Sequence, residues 1–238
     1  MAGIADILRE SQAGQGDGQV QVWIAEPPGY LGLPVAGSQE KLEAAMPVLV
    51  DIMPPEQMET LGAVLGVLEL TLGELEQRNC IYCGIGWHNA PDGTEVSSSL
   101  VVSLLPTGDG RGRTPRMVLA GLVEAAAEAN EKGQADEVEL PGGPALFFER
   151  IRRLPRPQLP GVVGDPGLAE VYQLEAVVPN EDGSWIATIE FSTPNVHHGV
   201  WFREMIVLMA NSVSFKPPPA LAEEGSGARN IHSILGGG

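Results

Sequence analysis

The chain is short of lysine, of cysteine, of positive charge and of long apolar runs. Only Lys41, Lys132 and Lys216 are lysines among its 238 residues. Arginine is preferred, and alanine, glycine and proline are abundant, which is the residue usage of a GC-rich bacterial genome such as that of an actinobacterium. Two cysteines cannot build a disulfide framework. No apolar stretch approaches the ~20 residues that a membrane-spanning helix needs, so no membrane insertion is expected. Met1 to Glu10 lack a basic region and a cleavable apolar segment, so no signal peptide is expected, and the expected location is the cytoplasm. With 14 basic residues against 31 acidic ones the net charge is −17. A surface this acidic repels nucleic acid and anionic membranes over most of its area.

Chemistry-bearing motifs are missing as well. There is no G-x-S-x-G, no H-E-x-x-H and no plausible Cys–His pair. The four histidines, His88, His197, His198 and His232, offer no paired metal-ligand spacing. The adjacent His197 and His198 point about 100° apart on a helix, which makes them poor joint ligands. No catalytic residue, cofactor or metal is expected. Cys80-Ile81-Tyr82-Cys83 spells C-x-x-C, but it opens a strand rather than a helix, and alternation along a strand sends the two sulfurs to opposite faces. Half-buried structural cysteines are the favoured reading.

What the chain does have is enough apolar residue, 43% against 19% charged, for a real core. Val20, Val22 and Ile24 alternate as a strand closed by Pro27-Pro28-Gly29. Ser38 can cap a helix that Pro47 and Pro54-Pro55 interrupt. Met58, Leu61, Leu65, Leu68, Leu72 and Leu75 form a helical stripe ending at Asn79, with Gly62 and Gly66 spaced for close packing on a sheet. Cys80–Trp87 and Ser97–Leu105 read as a hairpin around Asn-Ala-Pro-Asp-Gly. Thr114-Pro115 starts a helix over Arg116–Asn130, and Val138–Leu140 and Ala145–Leu154 are further strands. Tyr172–Val178 and Trp185–Phe191 are two more, joined by Pro179-Asn180-Glu181-Asp182-Gly183. Ser192-Thr193-Pro194-Asn195 then leads into a helix whose expected core face is Trp201, Met205, Leu208 and Met209, followed by the short apolar segment Ser212–Phe215. The expected organisation is a flexible segment 1–18, one α+β domain over 19–216 and a flexible tail over 217–238.

Antiparallel strands, a long helix after the first of them, a second helix midway and a last helix behind the closing hairpin make an α+β sandwich, a largely antiparallel sheet between helices. This order, and above all Tyr172–Val178, Trp185–Phe191, the Ser192-Thr193-Pro194 junction, Trp201–Met209 and Ser212–Phe215, resembles the Mog1/PsbP-like superfamily and its small actinobacterial members. The resemblance implies a non-catalytic binding or assembly factor for a protein partner, such as an adaptor or chaperone-like protein. It carries no catalytic motif and leaves the oligomeric state open.

Three features are candidates for contact with such a partner or with a ligand. Eight of the fourteen basic residues fall between Arg111 and Arg156, and Arg150, Arg152, Arg153 and Arg156 form a local positive island that either pairs with the chain's own acidic residues or docks an acidic partner. The loop Gly108–Arg113 precedes a helix, so Arg111, Arg113 and Arg116 could hold an anion there, although the loop is neither a P-loop nor a dinucleotide fingerprint. A small-ligand or anion-binding protein, or an enzyme, using this loop is the rival reading. In the tail, Ile231, Ile234 and Leu235 recur at helical spacing and could fold into a partner's groove, unless the terminus docks on its own domain.

Overall fold

A computed structural model of the chain describes residues 20–35, 58–108, 113–156, 167–216 and 230–234. The expected 1–18 segment, the Ser38 helix, the Asp109–Gly112 stretch with Arg111, and Leu235 lie outside the described residues. The elements in chain order are β1 (Gln21–Ala25), β2 (Tyr30–Leu33), α1 (Met58–Gln77), β3 (Cys80–Asn89), β4 (Glu95–Pro106), α2 (Pro115–Glu128), β5 (Gln134–Leu140), β6 (Gly143–Pro155), β7 (Leu168–Pro179) and β8 (Trp185–Thr193). A 3-10 helix (Val196–Phe202) runs directly into α3 (Arg203–Ser212), and β9 spans Asn230–Ile234.

Seven strands form one antiparallel sheet in the order β2-β3-β4-β8-β7-β6-β5. It consists of two meanders, β2 to β4 and β5 to β8, joined where β4 pairs with β8. Local chemistry sets the turns. Between β7 and β8, Asn180 Oδ1 accepts from the Trp185 amide at 3.1 Å and Asp182 Oδ1 from the Ser184 amide at 2.9 Å. Gly183 takes φ +69°, and a side chain there would also meet the Arg113 carbonyl at 2.5 Å. Asn79 and Asn130, both at positive φ, close α1 and α2 as left-handed caps. Thr114 caps α2 by accepting from the Met117 amide, with Pro115 behind it.

Both faces of the sheet are covered, which makes the chain an α+β protein. On one face α2 packs Val118, Leu119, Leu122 and Ala126 onto Leu105, Leu146, Phe148, Val177 and Ile186, and α1 packs Leu72 onto Cys80 and Cys83. On the other face α3, the 3-10 helix and β1 cover Leu100, Val102, Phe147, Leu174, Ile189 and Phe191. Each such fully buried side chain contributes about 1.5–3 kcal/mol of transfer free energy. Among the described residues no helix is long and apolar enough to cross a membrane.

Four local expectations change. The tail segment Asn230–Ile234 is a strand that pairs antiparallel with β1, Ile231 opposite Ile24 and Ile234 opposite Gln21, rather than a helical motif. A helix of six residues is marginal in water, whereas isoleucine suits an available strand edge. Gly66 has open space where a Cβ would be, so it is not a close-packing point on the sheet. The last helix begins as a 3-10 turn, and the expected stripe is not its core face. Ile206, Met209 and Ala210 are buried, while Trp201 and Leu208 face outward. Finally, the register of β3 against β4 slips between Cys80 and Tyr82. That bulge brings both cysteines into one cluster with Val35 and Leu72, against the expectation of opposite faces.

Candidate functional site

The arginine island does not stay together. Successive residues of a strand face opposite ways, so Arg150 and Arg152 lie on the α2 side of β6 and Arg153 on the α3 side. Arg150 is not available to a partner. Its side chain is 5% exposed and donates to Glu131 Oε2 at 3.0 Å and to Gln173 Oε1 at 3.1 Å, with Glu175 Oε2 at 3.9 Å. Its guanidinium also sits 5.1 Å from the centre of the Phe148 ring. Glu175 is directly opposite Glu190 across β7 and β8. Like charges so placed repel, and the neighbouring guanidinium offsets this. Arg152 is half-buried and lines a 90 Å³ cavity with Arg150, Glu175, Glu190 and the bonded hydroxyls of Ser99 and Ser192. Arg153 pairs with Glu170 at 3.0 Å on the surface. Arg156 is exposed and lines an open cleft of about 860 Å³ with Leu168, Glu170, Asn195 and His197.

The cations around the glycine-rich loop also face the chain itself. Arg113 donates to the Thr107 carbonyl at 3.3 Å. Arg116 forks onto Glu137 at 2.8 Å and Glu139 at 2.6 Å, two carboxylates of the edge strand β5.

A constellation that sequence reading missed sits on the α3 face at the β2–β4 edge. Tyr30, Gly86 and Ser98 share one cross-strand row. The Tyr30 ring crosses Gly86, and its hydroxyl is hydrogen-bonded with Ser98 Oγ at 2.9 Å. His88 Nε2 lies 3.1 Å from the same oxygen. A Cβ on Gly86 would fall 2.4 Å from His88 Nε2 and 2.6 Å from Ser98 Oγ. A hydroxyl beside an imidazole is the start of a nucleophile–base pair. Here Ser98 is 3% exposed, and His88 lies between the Tyr30 and Phe202 rings, so the group is a packing element. Burial lowers the His88 pKa and pushes the Tyr30 phenol up to about 12.

The other two tyrosines repeat the arrangement: Tyr82 lies over Gly84 while donating to Glu26 Oε1 at 2.7 Å, and Tyr172 lies over Gly199. Tyr172 Oη is buried without a well-formed hydrogen bond, next to the Arg203–Glu149 pair, and burial raises its pKa to about 12. The signal in the sequence was Tyr82-x-Gly84-x-Gly86-x-His88, aromatic and glycine residues at period two.

Both cysteines are free and buried, Cys80 Sγ donates to the Tyr82 carbonyl at 3.1 Å, and burial pushes the Cys83 thiol up to about 11. Among the described residues no group of three or more His, Cys, Asp and Glu could hold a metal ion.

The most exposed apolar feature of the last helical unit is its outer face. Trp201 is 43% and Leu208 62% exposed, with Val200 and Val207 beside them. The Trp201 ring packs at a tilt against His198, ring centres 4.4 Å apart, and His198 Nε2 meets Asp92 Oδ2 at 3.2 Å, so the indole is held in place by the β3–β4 turn. Comparison of the chain with family models, with curated proteins and with solved structures found no match.

Proposed function

We propose that the chain is a non-catalytic protein-interaction module, an adaptor, chaperone-like or assembly factor acting in the cytoplasm on a Mog1/PsbP-like sandwich. The observation that carries this reading is the outward apolar face of the 3-10 helix and α3, where large side chains are displayed on an element whose inner face is already satisfied by the core. A fixed aromatic ring flanked by aliphatic side chains is the composition of an interface anchor. The helix–sheet–helix layering supports the Mog1/PsbP-like reading, and the net charge of −17 speaks against nucleic acid as the partner. The rival, an anion site at loop 108–113, has less support, because Arg113 and Arg116 are turned to the chain's own carbonyl and carboxylates.

The test is cross-linking in native extract with a photoreactive group at Asn211, next to the apolar face, comparing the wild type with Trp201→Ala/Leu208→Glu. One or a few proteins cross-linked by the wild type and lost from the double variant are expected. An identical set from both chains removes this face from the function.

A further inference from the structure

Resting on that reading, we infer the chemistry of the partner: an amphipathic helix with a single arginine or lysine at the centre of its apolar face. Trp201, Glu204 and Leu208 stand three and four residues apart, so they follow one another along one line of the helix surface. The line therefore has an apolar residue at each end and an exposed carboxylate in the middle. The neighbouring cation does not neutralise it. Arg203 is committed to Glu149 through two hydrogen bonds, at 2.7 and 2.6 Å. Among the described residues no cation pairs with Glu204.

Covering this line with a purely apolar surface would desolvate a lone carboxylate, which is costly. A cation at the matching position converts that cost into a pairing and fixes the register. A ridge of side chains three and four apart is the shape that fits the groove of another helix. The line spans about 10 Å, so two to three turns of partner helix cover it.

The arrangement also disfavours a second copy of the chain centred on this line. Two-fold packing with the axis at the middle of the line would set Glu204 against Glu204. Two chains at −17 repel one another at longer range as well.

The probes are three synthetic amphipathic helices of about fourteen residues, identical except for arginine, leucine or glutamate at the centre of the apolar face. Binding to the full chain is read by fluorescence anisotropy at two salt concentrations. The arginine peptide is expected to bind tightest, about tenfold better than the glutamate peptide, and Glu204→Lys should reverse that order. Leu208→Glu should abolish binding of all three. Equal binding of the three peptides, lost in Leu208→Glu, overturns the basic centre and leaves the interaction module standing. No binding by any of them overturns both. Sedimentation supplies the other arm: Glu204→Leu should associate more than the wild type. A wild-type assembly that Leu208→Glu dissolves makes the second copy the occupant and overturns the inference.

Discussion

Under α2 the sheet buries charge, and under α3 it buries aromatic rings. On the first face Arg150, Glu131, Glu175 and Gln173 satisfy one another at 5% side-chain exposure for the ions. On the second, Tyr30, Tyr82 and Tyr172 each lie over a glycine, and their packing is set by the space a missing Cβ leaves. The two faces fail differently. An ion cluster is sensitive to the loss of one member, because the others remain buried and unpaired. A ring over a glycine is sensitive to the addition of a single carbon. The Arg150 cluster and the tyrosine–glycine cradles are spent inside the chain, whereas the outer surface of α3, the interface proposed above, is held by the sheet through its opposite side.

The largest effect is expected at Arg150. Arg150→Met should cost about 3–5 kcal/mol, read from urea unfolding, because buried Glu131 loses the guanidinium at 3.0 Å and Glu175 loses a nearby positive charge. Adding Glu131→Gln and Glu175→Gln should recover much of it. A loss below about 1 kcal/mol would mean that the cluster behaves as a surface pair, like Arg153–Glu170.

Next comes the glycine cradle. Gly86→Ala should cost about 1–3 kcal/mol, since the new Cβ meets His88, Ser98 and Tyr30 within 2.8 Å. Gly66→Ala, into open space in a helix, should instead be neutral or stabilise by up to about 1 kcal/mol. Equal effects at the two positions would remove the cradle argument.

How much of this was legible in the sequence follows from what alternation encodes. The hairpins were readable from Trp185–Phe191 and from the Asn-Glu-Asp-Gly turn, because apolar alternation and turn residues are local. The coarse α+β layering followed from the same signals. The fate of Arg150 was not readable, because alternation assigns a face but does not say that Glu131, just past the end of α2, will meet the guanidinium there. The bulge at Cys80–Tyr82 was hidden for the same reason: a one-residue slip in register leaves composition unchanged. The outward position of Trp201 and Leu208 was hidden because spacing defines a stripe but does not say which side of the helix meets the sheet.

A smaller effect separates the faces by pH. The folded His88 pKa lies below its ordinary 6.5 because of burial, so the unfolded chain binds that proton first. Stability should therefore decline as pH falls below about 6.5 and level off once folded His88 is protonated. Asp92 and Asp182, held below their usual range chiefly by hydrogen bonds from Thr94 and Ser184, contribute stability that is lost only in the acid carboxylate range. His88→Gln should flatten the melting temperature between pH 6.5 and 5. An unchanged slope would assign it to another group.

The smallest effect belongs to the outer surface. Trp201→Ala/Leu208→Glu should change stability by less than about 1 kcal/mol in circular dichroism melts, because substitutions at exposed positions seldom do more. A larger fall would show that these side chains belong to the core, and the contrast between a closed sheet and an open helix face would disappear.

The seam where β4 meets β8 has a kinetic consequence. Within each meander paired residues are at most 56 apart in the chain, as Tyr30 and Gly86 are, but Ser99 and Ser192, bonded across the seam, are 93 residues apart. Closing so long a loop costs entropy before any of the seam's hydrogen bonds repay it. The two halves can collapse early, each showing a bare β4 or β8 edge to the solvent, and the search for the correct mutual register then sets the pace of folding. During that interval the unpaired edges are the surfaces on which one nascent chain can capture another.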